Sequence, residues 1–568
     1  MNSSARPAPA VPQHGQERRS GQIRDRLAKR AALLSEGVDL YAAAQPVADR
    51  VHLLQGRYGG LPPRIRTGAR VSVAGRIMSR RDHRDVEFAT LRDMSEEIQI
   101  LLPGDRAAAE PRVRWRASVD LGDLVVVEGE LITTGSGALA VEAVDFRLAS
   151  KALRPLPGRP VGGARAGRSE GSAGAGRSEA APGAGRPATA RHRYQRMMLD
   201  PAETARTRRR GAVLRVLREE LYARGFTEAD TPLLHPVHGG TARPFTARMN
   251  AWGIPLHLRG TAEMYLKRLM VGGMDRVFEI GRSFRNEGVD ATHFPEFSAC
   301  EAYLVHSDYL ATADLAEQLV AAAAVALNGP GSTAPVFARH RLHDLLGRVL
   351  GTPVDSATSQ AELAGHAERH GLPVPPGSGA GALAVLLYRK LVEPGLREPT
   401  FVLDFPLEGA ILARPHRRDP ALVEAWTLVI GGLDVGQGCS ELTDPVEQRR
   451  RFTEQALARE GRQLGVTELD EEFLAALEHG LPPLGGLMFG VDRLITALGG
   501  GGRLRDHQCH PIVRPAPAPD TPTAPATPIA PAATTAPTPT TAPSPSHPTT
   551  DRKEATEWTP ATSDSTPC

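Results

Sequence analysis

FEIGRSFRNEGVDATHFPEF, residues 278–297, opens like a strand, with apolar Phe278 and Ile280 alternating with Glu279 and Gly281. It then places Arg282 and Arg285 before a tight, turn-like Asn286-Glu287-Gly288 and returns toward His293 and Phe297. Arginine near a turn suits an anion, because its planar fork matches phosphate or carboxylate oxygens. Phe297 offers a stacking face to a base. Glu287 can accept from an exocyclic amine or help hold a metal. These residues describe a cradle for a nucleoside triphosphate that uses no Gly-rich phosphate loop, and the chain has no GxxxxGK[ST]. On composition alone a surface hairpin with solvated charges, the usual fate of such residues, is the better fit.

The rest of the chain narrows the choice. Its 568 residues exceed one ordinary domain, and 41% hydrophobic residues allow a sizeable core. Lys and Arg number 68 against 65 Asp and Glu, a formal charge of +3, so any basic surface is local. Cys300, Cys439, Cys509 and Cys568 form no CxxC pair, which speaks against a zinc site or a disulfide framework and for reduced thiols. No run approaches the length of a membrane span, and the N-terminus lacks the apolar centre of a signal peptide. The expectation is a cytoplasmic protein without a membrane partner.

Residues 1–60 read as a disordered N-terminus and a helical extension, with Leu27, Ala31 and Leu34 on one helix face. Five β-rich runs (71–78, 86–94, 98–102, 124–131 and 138–148) make 61–157 a small closed barrel, of which the OB-fold is a common example. Residues 158–192 are rich in Gly, Ala and Arg and read as a flexible basic linker. Over 193–514 helices and strands alternate without a regular βαβ rhythm, which predicts an α+β domain around an antiparallel sheet. Within it Val213, Leu214, Val216, Leu217 and Leu221 mark a helix over 202–225, and 226–234 follows as a strand punctuated by Pro232. Residues 515–568 are Pro, Thr, Ala and Ser and read as a disordered tail.

The order FRNEG, HFPEF, EAY resembles motif 2 of the class II aminoacyl-tRNA synthetases, and RVFEIGRSFRNEG (276–288) is most similar to the lysyl-tRNA synthetases. GFTEADTP (225–232) resembles motif 1, and GLMFGVDRL (486–494) resembles motif 3. GGTARPF (239–245), LRGTAEMYLKRLMVGG (258–273), GCSELTDP (438–445) and ALEHGLPP (476–483) agree in the same order. VAGRI, FATLRD and SKALRPLP resemble the family's N-terminal OB-fold anticodon domain and its junction. The resemblance spans roughly 23–157 and 193–514 and implies an antiparallel-sheet catalytic domain behind an OB-fold barrel.

The resemblance also implies roles. Arg285 would bind the α-phosphate of ATP and the attacking carboxylate. Glu287 and His293 would contact ATP, Phe297 would stack on adenine, and Arg493 would hold the γ-phosphate. Fixed cations on both sides of a bent triphosphate stabilise the charge that builds on phosphorus and on departing pyrophosphate. Glu263 would receive the amino acid's α-amino group, and Glu301, Tyr303 and Glu441 would surround a lysine ε-ammonium, with Gln437 and Met488 lining the pocket. Phe88 and Gln99 would stack on and read anticodon bases. Motif 1 implies a homodimer, and the partners implied are lysine and tRNA, of the lysine-specific kind.

Several positions depart from the family pattern. Of two acidic ligands for Mg2+, one is Thr427, a neutral hydroxyl, and the other is Asp434. The family's Asn-Gly-Phe-Ser-Glu is Gln437-Gly438-Cys439-Ser440-Glu441, a pocket glycine is Met488, and Phe294 replaces an asparagine. A third anticodon reader is Ala138. The reading is an ATP-dependent lysine–tRNA ligase. The alternatives are a paralogue with another amino acid or acceptor, such as a protein lysine on elongation factor P, and a non-catalytic RNA-binding relative.

Overall fold

The computed structural model describes residues 21–41, 43, 49–83, 86–94, 96–103, 109–157, 192–238, 242–329, 331–461 and 469–513. The expected linker and tail, and the first twenty residues, lie outside the described residues.

Alternating apolar residues in the first five strands close a barrel. They are β1 (Arg66–Asp82), β2 (Val86–Arg92), β3 (Glu97–Pro103), β4 (Leu124–Thr133) and β5 (Leu139–Ser150), in the order β1-β2-β3-β5-β4. Val73, Ile77, Leu91, Ile100, Val127 and Val141 fill its interior with no exposure. Helix Ala109–Ser118, unforeseen in the sequence, drops Trp115 onto Phe146 with ring centroids 4.9 Å apart. Gly129 sits at a β4–β5 register shift, where a Cβ would lie 2.1 Å from the Glu142 carbonyl oxygen. The N-terminal helix Gly21–Ser35 buries Arg26 and Leu33 rather than the expected Leu27, Ala31 and Leu34 face. The reason is polar: the Arg26 guanidinium donates to the carbonyls of Leu121 (2.8 Å), Ala152 (3.0 Å) and Arg154 (3.1 Å).

The C-terminal part carries β6 (Thr227–Glu228), β7 (Leu234–His235), β8 (Thr246–Met249), β9 (Ile254–Leu258), β10 (Arg276–Phe284) and β11 (Glu296–Val305). Then follow β12 (Ala338–Arg341), β13 (Thr400–Pro406), β14 (Leu422–Ile430), β15 (Leu433–Ser440) and β16 (Leu484–Gly490). Eight of these form one sheet, ordered β12-β13-β14-β15-β16-β11-β10-β6. Its six central strands pair antiparallel, and only the edges β6 and β12 are parallel. The expected strand over 226–234 is broken into β6 and β7, because Pro232 has no N–H to continue a ladder.

Helix Pro201–Ala223, capped by Asp200 accepting from the Ala202 N–H, covers one sheet face with Val213, Leu217 and Leu221. Helix Tyr309–Asn328 lies beside it. This helix has the length and mean hydropathy (1.5) of a membrane span, which corrects the expectation that no segment approaches one. Half of its most apolar window is buried against the sheet, where alanines such as Ala313, Ala316 and Ala323 permit close packing. The other sheet face is left to the site.

Candidate active site

In an antiparallel sheet, directly paired residues point to the same face. The register therefore writes two rows across the face that carries the site. One runs Glu279–Glu301–Met488–Gln437–Thr427–Val402. The next runs Tyr303–Gly486–Cys439–Ala425. Three departures from the family pattern, Met488, Gln437 and Thr427, are thus immediate neighbours in space.

A cavity of about 200 Å³ is lined by Arg285, Glu287, His293, Phe297, Asp434 and Arg493, among others. The strands β10 and β11 bring Arg285, Glu287, His293 and Phe297 to it, while Asp434 comes from β15 and Arg493 from helix Val491–Leu498. The hairpin does not close through the tight turn expected at 286–288, because the register ends at Phe284 and Glu296, leaving a loop over 285–295. Arg243 anchors the loop, its carbonyl accepting from the Asn286 N–H at 2.8 Å. The Arg285 guanidinium lies 5.2 Å over the Phe297 ring, and its Nε is buried without a hydrogen-bond partner. Burial lowers the pKa of Arg285, with Glu287 acting in the opposite sense. An orphaned buried donor beside an aromatic face is what an anion with an attached base would complete. Arg493 donates to the carbonyls of Thr292 (3.2 Å) and Asp434 (3.1 Å). Burial raises the pKa of Asp434 against the pull of Arg493, Arg389 and Arg285. His293 stays exposed and pairs with Asp290 at 2.9 Å.

A second cavity, about 370 Å³, shares Arg285, Gln437 and Met488 with the first. Its deep end holds Glu263, Glu301, Tyr303, Cys439 and Glu441. Gly486 is obligatory there: a Cβ would lie 2.1 Å from Glu441 Oε1 and 2.6 Å from Tyr303 Cε1. Glu301 is 2% exposed and accepts from the Thr261 hydroxyl (2.7 Å) and the Ala262 N–H (3.1 Å). Burial still pushes its pKa up to about 7.

The residue that sequence reasoning missed is Lys267. Fully buried, its Nζ lies 2.6 Å from Glu263 Oε1 and 2.5 Å from Glu441 Oε2, and 6.0 Å from the Tyr303 ring centre. Burial alone would lower its pKa, but the two carboxylates more than offset that and raise it. Burial pushes Glu441 up, and Lys267 pulls it only part of the way back. The Cys439 thiol donates to Glu441 Oε1 at 3.4 Å. The slot therefore contains three glutamates and one built-in ammonium, an acidic surplus that suits a further cation.

On the barrel, Phe88 and Gln99 line a cavity of about 450 Å³ with Arg81, His83, Thr134 and Ser136. Ala138 lies beside it, its N–H held by the Thr134 hydroxyl at 3.1 Å.

Among the described residues no three His, Cys, Asp or Glu side chains cluster as a metal-binding group. Asp434 is the one carboxylate at the expected ligand positions. Mg2+ completes its shell with phosphate oxygens and water, so the residues fit one ion at Asp434 and none at Thr427.

An antiparallel sheet of this order, with an arginine pair over one cavity, an acidic slot beside it and a five-stranded nucleic-acid-type barrel ahead of it, defines the class II aminoacyl-tRNA synthetases. The chain belongs to the tRNA synthetases class II (D, K and N), whose pattern it matches over residues 186–514, and residues 71–149 match the OB-fold nucleic acid binding domain. It is similar to proteins called lysylphosphatidylglycerol biosynthesis bifunctional protein LysX. The one from Nocardia farcinica is 39% identical over 513 residues, covering 88% of this chain and 43% of that protein. That from Mycobacterium marinum is 39% identical over 515 residues, covering 88% and 44%. That from Mycobacterium tuberculosis is 37% identical over 525 residues, covering 88% and 42%. The chain spans less than half the length of these relatives.

Proposed function

We propose that this chain activates lysine with ATP and transfers the lysyl group to the 3′ end of tRNA(Lys). The observation that carries this reading is the shared wall: a slot holding Glu301, Tyr303 and Glu441 opens, past a Glu263 that would receive the α-amino group, onto an arginine-lined cavity at Arg285. A lysine laid along the slot puts its ε-ammonium among the carboxylates and its carboxylate at Arg285. Adenine stacks on Phe297, and Arg493 takes the far phosphates. The carboxylate, already a nucleophile, attacks the α-phosphorus; the bond to pyrophosphate breaks, giving lysyl-adenylate. The ribose hydroxyl of tRNA then attacks the lysyl carbonyl and releases AMP. Arg285 and Arg493 work by position and charge, without a general base. Mg2+ bound at Asp434 would offset phosphate charge. Phe88 and Gln99 would stack on and read anticodon bases, and two copies would pair as a dimer through the Pro232 segment.

The relatives' name supports a destination for the product. A lysyl ester on tRNA can exchange onto a lipid hydroxyl at little free-energy cost, so lysyl-tRNA made here would suit lysylphosphatidylglycerol formation. The test is an amino-acid screen of ATP–pyrophosphate exchange followed by tRNA charging. Lysine should stimulate exchange best and tRNA(Lys) should be charged. Exchange stimulated best by another amino acid would overturn the lysine assignment.

A further inference from the structure

Thr427 lines the amino-acid cavity where the family pattern has an acidic metal ligand, and an arginine lines the same cavity beside it. That arginine, Arg389, is exposed and makes no ion pair or hydrogen bond with the described residues. Its neighbour Tyr388 is 1% exposed, packs edge-on against Phe405 at 5.8 Å, and belongs to the same core cluster as Val402. Val402 is the direct β13 partner of Thr427. Tyr388 thus anchors the π-helical turn Tyr388–Val392, which carries Arg389, in the core cluster of Val402, while Arg389 and Thr427 line one cavity. Such turns recur at functional sites. Arg285, the α-phosphate arginine of the reading above, lines the same cavity as Arg389 and Thr427 and also lines the neighbouring one, so Arg389 shares a cavity with a phosphate-binding cation.

We propose that Arg389 is a third phosphate-binding cation, which does with a guanidinium at Thr427 what a second carboxylate-held Mg2+ would otherwise do. This rests on the synthetase reading above. A guanidinium is always charged and matches phosphate oxygens bidentately. Exchanging a carboxylate for Thr427 removes a metal ligand, and it also removes the anion that would capture Arg389. The two features therefore make sense together: with glutamate at 427, Arg389 would be neutralised by a neighbour.

The experiment measures ATP affinity of the full chain by calorimetry, in excess chelator and in saturating Mg2+, for wild type, Arg389→Gln, Arg389→Lys and Thr427→Glu/Arg389→Gln. Metal-free ATP binding should weaken about 10- to 100-fold in Arg389→Gln, the range for losing charged hydrogen bonds, and less in Arg389→Lys. The double variant should recover affinity only when Mg2+ is present. Equal metal-free affinity in Arg389→Gln and wild type overturns the role of Arg389. Absence of ATP binding by wild type in both conditions overturns the synthetase reading and this proposal with it. Because Arg389 is exposed, the thermal midpoint of Arg389→Gln should match wild type, and a large drop would also count against a purely phosphate-binding role.

Discussion

Replacing Lys267 by Met would show whether the slot's built-in cation governs its charge. Lys267 contacts two carboxylates at 2.5–2.6 Å inside the protein. At an effective dielectric constant of about 20, each contact is worth roughly 6 kcal/mol before desolvation is subtracted. Removing one partner of a buried pair costs about 3–5 kcal/mol in practice. The orphaned carboxylates have one escape, which is to bind a proton. For a glutamate with an unfolded pKa of about 4.3, holding that proton costs roughly 2 kcal/mol at pH 6 and about 5 at pH 8. The smaller of the two costs is the one paid at each pH, so the destabilisation should grow with pH and level near the upper figure.

In wild type, Glu301 near 7 is a carboxyl raised above its unfolded value, so stability falls as pH rises toward 7 and is flat above that for this group. Lys267, raised above its ordinary value, contributes stability fully below the ordinary lysine pKa and loses it only in strong alkali. Glu441, also raised to about 7, behaves as Glu301 does. The buried thiols of Cys300 and Cys439, raised above the ordinary cysteine value, lower stability only as pH nears about 8.5. Wild type should therefore be nearly level between about pH 7 and 8, while Lys267→Met should keep falling by about 1.4 kcal/mol per pH unit until its proton is released. Urea unfolding across that range reads both slopes. Lys267→Met/Glu441→Gln, which removes one charge of each sign, should return to the level profile. A Lys267→Met variant that tracks wild type within about 1 kcal/mol at every pH would refute the argument, because a mispaired buried carboxylate cannot be that cheap.

Three further substitutions address the site and the barrel. Gly486→Ala drives a methyl into Glu441 and Tyr303, and should abolish lysine-dependent pyrophosphate exchange while calorimetric ATP affinity stays within about twofold, as expected where no ATP contact is lost. Met488→Gly, at the wall shared by both cavities, should raise lysine-dependent exchange; an unchanged rate would mean that the thioether already leaves the slot clear. Phe88→Ala should weaken tRNA binding by about 1–3 kcal/mol, the usual value of one base–aromatic stack, with exchange untouched.

How far the sequence could be read follows from which interactions are local. The barrel was legible because its signal, period-two alternation between turns, is written within each strand. The grouping of Arg285, Glu287, His293 and Phe297 around one cavity was legible because they sit on one hairpin, although the loop over 285–295 was mistaken for a tight turn. Lys267 was not legible. Glu263 and Lys267 are spaced i,i+4 on helix Glu263–Val271, the spacing of an ordinary solvated pair. What buries them is Glu441, and Glu441 has room only because Gly486 lacks a side chain. That dependence joins three segments far apart in the chain. Arg389 was hidden in the same way, since a cation in YRKLVEPG reads as solvated until Thr427 is placed beside it.

The departures show why positions should not be judged singly. In the sequence, Thr427, Gln437 and Met488 look like three separate losses from a family pattern. In the sheet they are consecutive members of one row, with Glu301 at one end. Neighbours on a sheet face share space and charge, so their effects should not add. Restoring glycine at 488 empties the place beside Gln437, whose longer side chain can then enter it. Restoring glutamate at 427 puts a carboxylate next to the same Gln437 amide. The sum of Met488→Gly, Gln437→Asn and Thr427→Glu measured one at a time should therefore differ from the triple variant by about 1 kcal/mol or more in lysine activation, the coupling typical of residues in contact. Strict additivity would mean that the three side chains do not meet in the working enzyme, and that the row is only a feature of the backbone register.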